Sequence, residues 1–169
     1  MICLLVATLI ASRGSTDVEQ LLRMMTREAR SETYVEPTLE QYAGARDLAR
    51  LALRDDLGGA SANMRALGFQ ADHIFLADET FVVLSDGGEA RGSGLYAFRV
   101  GGTPEQGRRA VVVQAPHGYY DARTGVLARR VFAATAAQAF CRNTAQRYVT
   151  PNADVAHARL SYFQAVTEA

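Results

Sequence analysis

The sequence predicts an α/β fold: a three-layer α/β/α arrangement on a mixed sheet, with a central parallel β-α-β unit preceded by N-terminal helices. Three observations predict it. Residues Ala110 to Ala115 (AVVVQA) form the strongest strand signal in the chain, a near-continuous apolar run of the kind expected for a central strand covered on both faces. Thr124 to Gln138 has helical texture, and Ala139 to Thr144 (AFCRNT) reads as a further short strand, so strand, helix-length crossover and strand follow in order. Upstream, short β-prone runs alternate with glycine turns, which adds antiparallel strands to the same sheet.

The elements follow from the N-terminus. Ile2 to Ala11 (ICLLVATLIA) is apolar and too short to span a bilayer as a helix. Its length matches the apolar part of an export signal, which predicts a periplasmic or extracellular protein with no stable membrane anchor after processing; the alternative is a buried strand or helix start. Thr16 to Arg30 reads as an amphipathic helix with Thr16 and Glu19 in a capping-box pattern and Val18, Leu21, Leu22, Met25 and Ala29 on one stripe. Pro37 opens a second helix running to about Leu57, with Leu39, Tyr42, Ala49 and Leu53 on one side and Gly58-Gly59 as its stop. The two helices are expected to form a small hairpin or lobe. The expected organisation is therefore a leader over 1–15, a helical segment over 16–58 and an α/β domain over 59–169.

Ile74 to Leu76 and Phe81 to Leu84 read as a hairpin, Asp86-Gly87-Gly88 and Gly92-Ser93-Gly94 as turns, and Leu95 to Val100 as another strand. Pro151-Asn152-Ala153 reads as a loop, and Val155 to Ala169 carries helical spacing at Leu160, Phe163 and Val166.

Composition narrows the function classes. The 169 residues carry 18 basic and 18 acidic side chains, and this balance argues against a protein built to coat nucleic acid. Every basic residue is arginine, so each cation is a planar fork suited to carboxylate or phosphate. The two cysteines, Cys3 and Cys141, give neither a disulfide framework nor a zinc-type pair. Cys141 sits inside a strand, where a packed thiol is a commoner outcome than a nucleophile.

The candidate chemistry lies after the two parallel strands, because ligands bind outside the carboxyl ends of strands in open α/β sheets. His117, held between Pro116 and Gly118, is followed four residues later by Asp121. Asp154 and His157 stand three apart, on one face if the segment is helical. Neutral imidazole with carboxylate is a zinc-type ligand set, so His117, Asp121 and His157 are candidate metal ligands and zinc the candidate cofactor. The bland alternatives are that Asp121 caps the following helix, and that Asp154 is an N-cap with His157 exposed. His73, far upstream, reads as structural. Arg147 and Asn143 are candidates to fork onto and hydrogen-bond a substrate carboxylate.

The run Val113 to His117 with Asp121 and Thr124, the Asn143-Thr144 and Arg147-Tyr148 pairs, and Asp154 to His157 with Phe163-Gln164 resemble a group of exported bacterial proteins. More distantly they resemble the zinc-dependent amidohydrolases and carboxypeptidases, with N-formylglutamate amidohydrolase and poly-γ-glutamate hydrolase as named relatives. The resemblance covers about Gly94 to Ala169. It implies a three-layer sheet with a metal at the strand ends, His117 as a ligand and Asp121 in place of the nearby acidic one. The spacing departs from the His-x-x-Glu of zinc carboxypeptidases, and the resemblance implies a later strand and His downstream of Ala169, which would make this a truncated copy. The implied function is zinc-dependent hydrolysis of an amide or peptide bond beside a carboxylate. Arg147 anchors the small-molecule or peptide-like substrate, and Asp154 orients His157 or shuttles the proton. The alternative is a non-catalytic exported α/β domain with a binding role.

Overall fold

The computed structural model describes residues 18–76, 79–101, 109–119, 121 and 123–169. The leader Ile2–Ala11 and Thr16 of the expected capping box lie outside the described residues. Among the described residues no helix is long and apolar enough to cross a membrane.

Helix α1 (Val18–Glu28) buries Leu21 and Leu22, as its stripe requires. Helix α2 (Leu39–Leu53) starts at Thr38, whose hydroxyl accepts from the Gln41 amide while the Gln41 side chain accepts from the Thr38 amide. This reciprocal cap, rather than Pro37, sets where the helix begins. It also turns Leu39 outward, 72% exposed, so that the buried face is Ala45, Leu48, Ala49 and Ala52. The helix ends at Leu53, ahead of the glycine pair, and a short α3 (Ser61–Leu67) follows that the sequence reading did not anticipate. Gly68 ends it with a left-handed backbone.

Five strands form one mixed sheet: β1 (Phe69–Leu76), β2 (Glu79–Asp86), β3 (Leu95–Val100), β4 (Arg109–Ala115) and β5 (Ala137–Arg142). Their spatial order is β1-β2-β3-β5-β4. The first three pair antiparallel in sequence order, β3 pairs antiparallel with β5, and β4 pairs parallel with β5. Between the parallel strands runs α4 (Thr124–Ala134), which completes the expected β-α-β unit. A 3-10 turn (Pro151–Ala153) and α5 (Tyr162–Thr167) close the chain.

The position of the β-α-β unit differs from expectation. β4 is an edge strand, with Val111 and Val112 45% and 44% exposed. The fully covered strand is β3, where all six residues are buried. The polar residue that disguises it, Arg99, is buried because Glu79 and two carbonyls satisfy it.

Side chains of β3 alternate between the two faces, as the pleat demands. Tyr96, Phe98 and Val100 pack with α2, α3 and α5, and Leu95 and Ala97 pack with α1 and α4. The two N-terminal helices therefore lie on opposite faces of the sheet and form no hairpin. Tyr96 donates to the Ser93 carbonyl, and its hydroxyl fills the place where a Cβ on Gly94, at φ 109°, would stand. Only glycine serves at that turn.

Candidate functional site

The carboxyl ends of β4 and β5 carry the two segments singled out above. The chain leaves β4 through Pro116 to Tyr119 in a turn and enters α4, with the Asp121 amide donating to the His117 carbonyl at 3.2 Å. The His117 ring is largely buried. Its Nε2 stands 3.4 Å from Asp154 Oδ1, and its Nδ1 is enclosed with no hydrogen-bond partner among the described residues. Asp154 follows the 3-10 turn rather than capping a helix, because Asp154 to His157 is itself a turn: the amides of His157 and Ala158 both donate to the Asp154 carbonyl at 2.9 Å. The carboxylate is thereby aimed back across the strand ends toward His117. His157 lies on the outside of this turn, exposed.

Arg147 reaches the same corner. Its Nη1 is 3.8 Å from Asp121 Oδ1, and its Nη2 donates to the Tyr148 hydroxyl at 2.6 Å. Asp154 also lies within its electrostatic reach. Asn143, expected to meet substrate, is buried. Its Nδ2 donates to the Ala153 carbonyl at 3.3 Å and its Oδ1 accepts from the Ala145 amide at 3.1 Å. It braces the loop that carries Asp154 and has no face left for a ligand.

The ligand set expected for zinc does not assemble. Among the described residues no group of three or more His, Cys, Asp or Glu side chains is arranged to hold a metal ion. The reasons are geometric: Asp121 faces a guanidinium, His157 faces solvent, and His117 finds Asp154 instead. A site of two such donors beside Arg147 does not fit a zinc ion, which takes three or four protein ligands.

The sequence reading missed Arg142. It ends β5 on the α1/α4 face and is 4% exposed. Its Nη2 donates to the Gly118 carbonyl at 3.0 Å, and its guanidinium lies 4.3 Å from the Tyr119 ring centre. Its Nε and Nη1 are buried without a hydrogen-bond partner among the described residues. Tyr119 in turn donates to the Thr26 carbonyl at 2.6 Å, tying the loop to α1. Arg129 of α4 is buried beside the same ring, and its Nε also lacks a partner among the described residues. Burial pulls both guanidinium pKa values below their ordinary range. The signal in the sequence is the pair Gly118 and Gly125: a Cβ on either would meet the Arg142 guanidinium, at 2.6 Å from Nε and 2.8 Å from Nη1.

Two other candidates have structural explanations. His73, on the outer strand β1, pairs with Asp55 at 2.8 Å in a half-exposed contact. Cys141 is buried, and burial pushes its thiol up to about 12, so no nucleophilic thiolate forms near neutrality. Compared with known proteins, the chain matches no family model, no curated protein and no solved structure.

Proposed function

We propose that the corner formed by His117, Asp154 and Arg147 is a hydrolytic site for an amide or peptide bond next to a carboxylate. The observation that carries this reading is the His117–Asp154 pair at 3.4 Å, with Arg147 alongside, at the carboxyl ends of two parallel strands. Asp154 Oδ1, 3.4 Å from Nε2, lies close enough to stabilise the imidazolium that forms when the ring takes a proton. Nδ1 is enclosed, so Nε2 is the nitrogen that takes a proton. Water attacks the amide carbonyl carbon as its proton passes to Nε2; the C–N bond then breaks and the amine leaves with that proton. Arg147 presents a planar fork to the neighbouring substrate carboxylate.

The test is amine release from a panel of N-acyl amino acids by the parent and by His117→Ala. Loss of a positioned general base lowers turnover on the order of 100-fold or more, with the melting transition retained. Equal turnover by both proteins overturns the reading. So does stoichiometric zinc in the purified protein that His117→Ala removes.

The second reading is a non-catalytic domain that binds a carboxylate ligand at the same corner. It is favoured by the enclosure of His117 Nδ1 and Asp154 Oδ1, neither of which makes a hydrogen bond among the described residues. Saturable binding of an N-acyl amino acid without amine release assigns it.

A further inference from the structure

We propose that Arg142 and the first turn of α4 form a binding site for a phosphate group. The proposal does not rest on the hydrolytic reading, since neither His117 nor Arg147 takes part.

A buried cation is tolerated when it is paired and its donors are satisfied. Arg142 is 96% buried, as its 4% exposure states, and two of its three guanidinium nitrogens make no hydrogen bond among the described residues. No carboxylate pairs with it among the described residues; Asp121, the nearest acid in the loop, is turned toward Arg147 instead. The neighbouring charges add to the problem, because Arg129 and Arg30 also surround Tyr119.

The position of the guanidinium makes it more costly still. Arg142 Nη1 lies against Gly125, the second residue of α4, within 2.8 Å of where a Cβ would be. That is the positive end of an 11-residue helix. The N-cap, Arg123, supplies no side-chain cap. The Thr124 amide donates to the Asp121 carbonyl and the Leu127 amide to the Arg123 carbonyl, while the Gly125 amide has no backbone acceptor among the described residues.

A cation with unused donors, a second buried cation and a helix N-terminus converge on one place. All three favour an anion, and together they favour one with two charges and several acceptor oxygens over a carboxylate. The two glycines let the guanidinium pack directly against the backbone of the loop and of the first turn. An incoming phosphate displaces the Gly118 carbonyl from Nη2 and takes the Nη1–Nη2 edge, while the Gly125 amide serves a remaining oxygen.

The experiment is titration calorimetry of inorganic phosphate into the intact chain at constant ionic strength, with parallel titrations of phenyl phosphate and acetate. The parent is expected to bind one phosphate saturably, Arg142→Met at least ten-fold more weakly, and Arg65→Met, on the opposite face of the sheet, as tightly as the parent. Tighter binding of phenyl phosphate assigns a phosphomonoester, and tighter binding of the inorganic ion assigns free phosphate. No saturable binding by the parent, unchanged binding by Arg142→Met, or acetate binding as tightly as phosphate overturns the proposal. The amide resonance of Gly125 in the parent gives a readout that needs no variant: it shifts saturably with phosphate and not with chloride. A Gly125 resonance that stays still overturns the proposal as well.

Discussion

Two arginines are buried on the same face of the sheet, at opposite ends of the same helix, and they live in opposite circumstances. Arg99, 3% exposed, stands at the carboxyl end of α4. Its Nε meets Glu79 at 2.6 Å, Nη1 donates to the Ala137 carbonyl and Nη2 to the Phe132 carbonyl, and its guanidinium lies over the rings of Phe81 and Phe132. The helix dipole there is negative and favours a cation. Arg142 is as deeply buried, stands at the amino end, and among the described residues makes a hydrogen bond at one nitrogen while stacking on Tyr119. Residue type and burial are equal, so the difference lies in partners and in field. It teaches that one end of α4 is built for stability, while the other holds an unbalanced charge that a ligand can balance.

The comparison breaks most visibly at the stable end. Removing Arg99 leaves Glu79 and two carbonyls without their donor. Because the Glu79 side chain is 36% exposed, Arg99→Met is expected to cost about 2–3 kcal/mol, below the usual range for a fully buried pair. Urea unfolding measures it, and a loss under about 0.5 kcal/mol would mean that Arg99 is no better placed than a surface arginine.

Far less of this site than of the fold was legible in the sequence. The hairpin, β3, the β-α-β unit and the α/β class follow from apolar periodicity, which burial imposes directly. The edge position of β4 does not, because Val111 to Val113 reads the same whether one face is covered or two. The helix over Val155 to Ala169 shrinks to Tyr162–Thr167, with Ser161 as its cap. The three-residue spacing therefore links Asp154 to His157 only through the backbone. The contact that matters, Asp154 with His117, joins residues brought together by the sheet, and no local spacing announces it. Arg142 was hidden for a related reason: a buried arginine with unused donors has the same letter as a solvated one.

Alkaline pH sharpens the comparison more gently, from the opposite face. Tyr96 and Cys141 pack there with α2 and α5, and burial raises both, the thiol to about 12 and the phenol well above its ordinary value. In the unfolded chain they lose protons near 9 and 10, while the folded chain keeps them. Their contribution is therefore complete below pH 9 and is lost as pH rises toward 12. The chain has no lysine to titrate in that window. Unfolding midpoints should be level up to about pH 9 and fall above it, and Cys141 should resist alkylation in the folded state over the same level range. A midpoint that rises from pH 9 to 11 would contradict the burial of these groups.

The most direct test of the account is the stability of Arg142→Met without ligand, measured by urea unfolding beside the parent. If Arg142 is held unbalanced for a ligand, an apolar side chain of similar reach removes a buried charge at the wrong end of a dipole. The unfolding free energy then stays level or rises, by up to about 1–4 kcal/mol in comparable replacements. A loss of about 2 kcal/mol or more, like that expected for Arg99→Met, would contradict the account and make Arg142 a structural residue of the core.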